Sequence, residues 1–266
     1  MDAELVRRGL ARSREHAVEL IEAGRVLISG AVATKPATAI EPGAPLLVRE
    51  VEDEVQWASR GAHKLLGALE AFEPHGLSIA GKRCLDAGAS TGGFTDVLLE
   101  RGAREVVAVD VGYGQLVWRL QCDDRVHVID RTNVRAITAD AIGGPVDVIV
   151  ADLSFISLAL VLPALVACTT PTTDLVPMVK PQFEVGKDRV GAGGVVRDPA
   201  QRAEAVLAVA EAAAELGVQT LGAVASPLPG PSGNVEYFLW LRPGNERTTR
   251  EHASTLIERA VQEGPQ

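Results

Sequence analysis

The stretch RCLDAGASTGGFTD, residues 83–96, decides the fold. RCLDAG suits a strand, the glycines mark a turn, and a helix opens beyond them. The same rhythm of strand then helix continues toward the C-terminus. EVVAVDV, VHVID, VDVIVADL, TDLVPMVK, QTLGAVAS and NVEYFLWL are six further strand candidates, most of them separated by helical segments at the spacing of a βα unit. That pattern predicts an α/β sheet with mostly parallel strands. The clearest helix is PAQRAEAVLAVAEAAAELG, with Asp198 as its N-cap, Pro199 at the first helical position and Gly217 just past its end. NVEYFLWL follows SPLPGPSGN too closely for another crossover, so the seventh strand is expected to be an antiparallel hairpin partner.

Upstream, residues 1–50 read as a small α+β domain. Leu5, Val6 and Leu10 suggest a short helix, and Ser13 can cap a second one through REHAVELIEA to Gly24, with Ala17, Leu20 and Ile21 on one face. RVLISG and AVATKP are strands expected to join in a tight turn around Gly30 and Ala31, and APLLVRE is a third strand. The acidic run EVEDEV begins a linker expected over 51–60, and the second domain is expected over 61–266. It opens on an amphipathic helix carrying Leu65, Leu66, Leu69 and Phe72. Trp57, just before it, is expected to pack between domains rather than to stack on a base.

A chain of 266 residues that is 47% hydrophobic can bury one sizeable core and one small extra domain. Its apolar runs are interrupted by Asp or Pro and fall short of the roughly 20 residues that span a bilayer. MDAELVRRGL has no apolar segment behind a basic head, so a signal peptide is not expected and a cytoplasmic location is. Cys84, Cys122 and Cys168 form no C-x-x-C pair and are expected to be buried thiols; with five scattered histidines they give no zinc spacing, and no metal is expected. The net charge of −9 argues against indiscriminate nucleic-acid binding. Against that total, LVRRGLARSR at residues 5–14 carries Arg7, Arg8, Arg12 and Arg14 with no acid, which reads either as a basic edge on an acidic protein or as a solvated helix surface.

Within DAGASTGGFTD, Gly88, Gly92 and Gly93 allow close backbone approach to a ligand, while the helix that follows offers unpaired N–H groups to a carboxylate. The spacing G-x-x-x-G-G is neither the dinucleotide fingerprint nor the phosphate loop. It favours the amino-acid end of S-adenosylmethionine over a phosphate. Asp110, at the end of the next strand, suits a ribose diol, and Asp130 suits either the adenine or a turn. The cofactor set read this way is Asp86, Gly88, Ala89, Ser90, Gly92, Gly93, Phe94, Thr95, Asp110, Val111, Asp130 and Asp152. Asp152 of ADLSFIS and Lys180 of MVKPQFEVGK both stand at strand ends, on the ligand-facing edge of such a sheet. In SGNVEYFLWL, residues 232–241, Glu236 interrupts an apolar strand, and an ionised carboxylate there needs compensation. Alternation puts Val235, Tyr237, Leu239 and Leu241 on one face and Glu236, Phe238 and Trp240 on the other.

LARSREHAVELIEAGRVLISG, SRGAHKL, DAGASTGGFTD, ADLSFIS, VKPQFEVGK and SPLPGPSGNVEYFLWL together resemble the TlyA, or hemolysin A, family of bacterial ribosomal RNA methyltransferases, over almost the whole chain. The resemblance implies an alpha-L RNA-binding domain followed by an FtsJ-like, Rossmann-like class I methyltransferase, with seven strands of which the last is antiparallel. It implies a Lys-Asp-Lys-Glu tetrad at Lys64, Asp152, Lys180 and Glu236 for methyl transfer to a ribose 2′-hydroxyl, with cytidine in 23S and 16S ribosomal RNA as target. The family often has Gly where this chain has Ala62, and some relatives have Arg where it has Val55.

A 2′-hydroxyl is a poor nucleophile that must be aligned with the sulfonium methyl and helped to lose its proton, and four charged groups can do both. Lys180 suits contact with the 2′-oxygen, as a neutral base or as a cation. The glycine-rich EVGKDRVGAGGVVRD, residues 184–198, reads either as a loop closing over the site and touching phosphate or as a plain surface loop. Arg7, Arg8, Arg12, Ser13, Arg14, Arg25, Lys35, Arg60, Lys187 and Arg189 are the expected RNA contacts, and the chain is expected to work as a monomer on ribosomal subunits. Two rival readings are a membrane-lytic protein, which the acidic charge and missing span oppose, and a non-catalytic RNA-binding factor, which the filled tetrad opposes.

Overall fold

The chain divides between Gln56 and Trp57 into two units, each with an apolar core of its own. The computed structural model describes every residue except Arg12, Pro42, 50–55, 187–188, Pro231, 245–248 and Gln266. Residues 57–60, expected in the linker, belong to the second unit, where Trp57 packs half-buried against the core and Ala58 is buried.

The first unit runs α1 (Asp2–Arg7), α2 (Arg14–Glu22), β1 (Val26–Ile28), β2 (Ala31–Val32) and β3 (Leu46–Val48). Ser13 does cap α2, its hydroxyl accepting from the His16 amide at 3.1 Å. Leu5, Ala17, Leu20, Ile21 and Val26 form the small core. β1 sits between β2 and β3, antiparallel to both. The hairpin turn is Ser29-Gly30, one residue earlier than expected, because both hold positive φ, 49° and 87°, as a tight two-residue hairpin requires.

The second unit runs α3 (Gly61–Phe72), β4 (Arg83–Ala87), α4 (Gly93–Glu100), β5 (Glu105–Val109), α5 (Trp118–Gln121), β6 (Val126–Ile129), β7 (Val146–Ala151), α6 (Leu162–Val166), β8 (Thr169–Val179), α7 (Pro181–Glu184), α8 (Pro199–Glu215), β9 (Val218–Ala225), β10 (Tyr237–Pro243) and α9 (Arg250–Glu263). The seven strands form one sheet in the order β6-β5-β4-β7-β8-β10-β9, with β10 antiparallel to both neighbours and the others parallel. β6 and β7 are joined by short 3-10 turns instead of a helix.

Alternation along β10 explains the two layers. Tyr237, Leu239 and Leu241 point into one core with Leu165, Val206 and Ile257 of α6, α8 and α9. Phe238 and Trp240 point into the other with Leu65 and Leu69 of α3 and Leu98 of α4. Asp198 caps α8 by accepting from the Ala200 amide at 2.9 Å, and Gly217 ends it with a φ of 76°. Cys84 and Cys168 are buried as expected; Cys122 is exposed, because it lies at the C-terminus of the short surface helix α5.

This topology gathers the charged strand ends. Parallel strands β4 to β8 all finish at one edge, so Asp110, Asp130, Asp152 and Lys180, each the residue after its strand, line up there with Asp86 of β4. β10 runs the other way and starts at that edge; its pairing of Tyr237 with Val179 sets Glu236 opposite Lys180.

Candidate active site

Two ion pairs occupy the edge. Lys64 enters on α3 and donates to Glu236 Oε2 at 2.6 Å, with Glu236 1% and Lys64 8% exposed. The compensation that a carboxylate in an apolar strand requires thus comes from α3. Lys180, 8% exposed, approaches Asp152 Oδ1 at 2.5 Å and donates to Ser154 Oγ at 3.0 Å. Glu236 Oε1 is buried without a hydrogen-bond partner and lies against Gly230, where a Cβ would come within 2.6 Å of it.

α3 is placed by α4. Asp96 of α4 accepts from the Ala58 amide at 2.8 Å and pairs with Arg119. The segment carrying Asp152 is tied to the segment after Lys180: Glu184 accepts from Ser157 Oγ at 2.6 Å and from the Leu158 amide at 2.9 Å, and the Phe155 and Phe183 rings lie 5.3 Å apart. Burial pushes the Glu184 carboxyl above its ordinary value, while those two donors pull it back.

On the Cβ side of its glycines the loop after β4 packs tightly against the rest of the unit. A Cβ on Gly88 would fall 2.5 Å from the Asp152 carbonyl oxygen, and one on Gly92 would fall 2.8 Å from Leu116. On Gly93 it would collide with Ser59 and come within 3.1 Å of the Ala62 amide nitrogen. At all three positions the chain's own packing leaves no room for a Cβ. Ala89, Phe94 and Thr95 are buried, with the Phe94 ring 6.0 Å from Phe238, so the side chain of Phe94 belongs to the core.

Beside the loop stand the acids of the strand ends. Asp86 is fully buried and accepts from Thr95 Oγ1 at 2.7 Å, while its Oδ1 has no partner. Burial pushes its carboxyl up to about 7; the Thr95 hydroxyl opposes the shift, and Asp152 and Asp110 add to it. Asp110 accepts from the Ser90 amide at 2.8 Å and from Gly112 at 2.6 Å, and Asp130 accepts from Gly114 at 2.9 Å. Asp130 thereby holds the segment after β5 that carries Gly114. Val111 is 74% exposed.

Comparison with known proteins carries this geometry to a family. A model of FtsJ-like methyltransferases matches residues 57–243, and an S4 domain model matches residues 2–46. The chain belongs to the TlyA family of FtsJ-like methyltransferases. A relative from Mycobacterium tuberculosis, "16S/23S rRNA (cytidine-2'-O)-methyltransferase TlyA", is 62% identical over all of this chain and 98% of that one. "Hemolysin A" of Brachyspira hyodysenteriae is 36% identical over 86% of this chain and 94% of that one. A solved structure from Streptococcus thermophilus, 35% identical, superposes with a TM-score of 0.76 over 98% of this chain and 95% of that one.

Membership of a methyltransferase family implies S-adenosylmethionine as methyl donor, and the residues present fit it. The unpartnered Oδ1 of Asp86 and the half-exposed carboxylate of Asp110 are acceptors for an ammonium and for hydroxyls, and the N-terminus of α4, without a side-chain cap, suits a carboxylate. The first unit, matched as an S4 domain, holds three of the expected RNA contacts in internal ion pairs. Arg7 and Arg8 both pair with Glu4, and Arg14 pairs with Asp2. The run of arginines without an acid thus meets acids from just upstream. Arg25 donates to the Arg49 carbonyl, Lys35 and Arg60 are exposed, and Arg189 makes a bidentate pair with Glu204 of α8. Ser13 is a cap, and Arg12 and Lys187 lie outside the described residues.

Ser154, Glu184 and Asn234 were not singled out in the sequence, although each stands inside a family motif. Their signal was polar side chains beside the tetrad, which gains meaning once it is known what lies across from them. Asn234 is 2% exposed, accepts from the Val196 amide at 2.9 Å and donates to the Gly194 carbonyl at 2.8 Å, pinning the end of the glycine-rich loop two residues from Glu236. Among the described residues no group of acids, histidines and cysteines could hold a metal ion, and no helix is long and apolar enough to cross a membrane.

Proposed function

We propose that the protein methylates the 2′-hydroxyl of a cytidine in ribosomal RNA, working on ribosomal subunits of both kinds. The observation that carries this reading is the pair of buried lysines, each held by a carboxylate at 2.5–2.6 Å on the edge beside the Asp86 loop. A site that only bound RNA would present its lysines to phosphates at the surface. Here they are turned inward against acids. The names of the Mycobacterium tuberculosis relative and of a Campylobacter jejuni relative, "23S rRNA (cytidine-2'-O)-methyltransferase TlyA", support the same substrate.

The donor supplies an electrophilic methyl group on a sulfonium sulfur. Asp86, Asp110 and the amides at the start of α4 would hold it, with the remaining loop residues setting their positions. Lys180 contacts the 2′-oxygen and aligns it, and either takes the hydroxyl proton as a neutral amine or, as a cation, stabilises the charge on oxygen while that proton passes to water. Asp152 keeps Lys180 at the strand end, and Glu236 keeps Lys64 beside it. RNA alone offers the 2′-hydroxyl, and the cytidine must be single-stranded or flipped to reach this edge. Phe155, 90% exposed next to Ser154, gives an unstacked base a ring to lie on.

Labelling ribosomes, separate subunits and naked RNA with methyl-labelled S-adenosylmethionine tests the proposal. Label should appear on a cytidine ribose. Lys180→Ala should lose more than a hundredfold in turnover while keeping cofactor affinity within about twofold, as expected for a group acting in the transition state. Label on a base would overturn the 2′-O assignment, and a Lys180→Ala protein with wild-type turnover would remove Lys180 from the chemistry.

A further inference from the structure

We infer that Ser154 is a positioning residue for Lys180: its hydroxyl fixes the direction in which the amine faces the acceptor oxygen. The inference rests on the 2′-O-methyltransferase reading and adds a residue outside the tetrad.

Lys180 hangs from the end of β8 on four rotatable bonds, and something must stop its Nζ from turning. The 2.5 Å contact with Asp152 supplies charge attraction, which has little directional preference. A hydrogen bond does have one, weakening steeply as its angle closes. Among the described residues Ser154 is the acceptor of the side-chain hydrogen bond that Nζ makes, at 3.0 Å. With Cε and Ser154 setting two of the four tetrahedral directions at nitrogen and Asp152 drawing a further N–H toward its carboxylate, one direction is left. That remaining direction carries an N–H if the amine is charged and a lone pair if it is neutral, so either form presents the same vertex to the 2′-oxygen.

The loop is built to keep Ser154 in place. Phe155, next in the chain, holds a φ of 64°, in the left-handed region, a strained conformation for a bulky residue. Such a conformation persists when its surroundings fix it. Here the Phe183 ring 5.3 Å away and the grip of Glu184 on Ser157 and Leu158 do so. These clamps connect the loop to α7, which starts at the residue after Lys180. Ser154 itself is exposed, so its hydroxyl is spare for folding.

The test compares full-length wild type, Ser154→Ala and Ser154→Thr on ribosomal subunits, with kcat, the KM for subunits and the Kd for S-adenosylmethionine measured separately. Ser154→Ala should lower kcat by about tenfold to a hundredfold, the range expected when one hydrogen bond to a charged group is lost from the transition state. The subunit KM and the cofactor Kd should stay within about twofold, and Ser154→Thr, which keeps the hydroxyl, should recover most of the loss. A Ser154→Ala protein with wild-type kcat, a loss carried entirely by KM, or a Ser154→Thr protein as impaired as Ser154→Ala would each overturn the inference. Should wild type itself transfer no methyl group, the 2′-O reading falls and this inference falls with it; normal wild-type turnover beside an unimpaired Ser154→Ala defeats this inference alone.

Discussion

Asp86 is the residue whose environment most changes its chemistry. Its folded value of about 7 lies above the ordinary 3.8, so over the interval between them the native state holds a proton that the unfolded chain has released. The stability this provides is full below about 4 and is lost as pH rises through about 7, and the shift corresponds to up to about 4 kcal/mol. Asp86→Asn removes the titration. Urea unfolding at pH 5 and pH 8 should show wild type losing stability relative to Asp86→Asn across that interval; parallel behaviour of the two proteins would mean that Asp86 is not the group holding the proton. At this scale the sequence was readable in part. A carboxylate inside an apolar strand had to be compensated, and Glu236 is. That its hydrogen-bonded partner is Lys64, rather than Lys180 opposite on the neighbouring strand, depends on α3 crossing the sheet edge, and no local pattern encodes that crossing. The burial that raises Asp86 was likewise invisible in a list of loop residues, because it comes from α4 and the ends of two neighbouring strands.

At the scale of elements, period and caps gave the strands, the antiparallel seventh strand and α8, since each depends on neighbours in sequence. The loop after β4 shows the limit. Three glycines signalled close approach, but a glycine says only that something lies near its Cα, not what. Gly93 illustrates the difference. A methyl group there would meet Ser59 and the Ala62 amide nitrogen, backbone that starts the helix carrying Lys64. Gly93→Ala should therefore push α3 off α4 and destabilise the second unit by about 1–3 kcal/mol, the usual cost of overpacking, with turnover falling as Lys64 shifts. Denaturant unfolding measures the first effect and methyl transfer the second. A variant as stable as wild type would return this glycine to the ligand-facing role read from the sequence.

For the whole molecule the decisive quantity is where the positive charge is spent. A net charge of −9 and a basic run near the N-terminus suggested an acidic protein with a basic edge for RNA. In the structure the described arginines of that run meet acids: Glu4 accepts from both Arg7 and Arg8, which hold its carboxyl down at about 2, and Asp2 takes Arg14. This was hidden because the sequence run was bounded at Leu5, one residue past the acid that serves two of its arginines. Arg7 and Arg14 are 64% and 72% exposed, and pairs that open to water are weak, so a phosphate can compete for them. Binding to ribosomal RNA then exchanges one partner for another, and fewer counterions are released than the count of arginines suggests. The dependence of affinity on salt should accordingly be shallow. Glu4→Gln frees Arg7 and Arg8 from their carboxylate, so the slope of log K against log salt on isolated subunits should steepen by up to about 2, one for each phosphate gained, with tighter binding at low salt. Cofactor affinity belongs to the other unit and should not move. An unchanged slope would mean that both arginines already contact phosphate in the wild-type complex, and that Glu4 holds them only in the free protein.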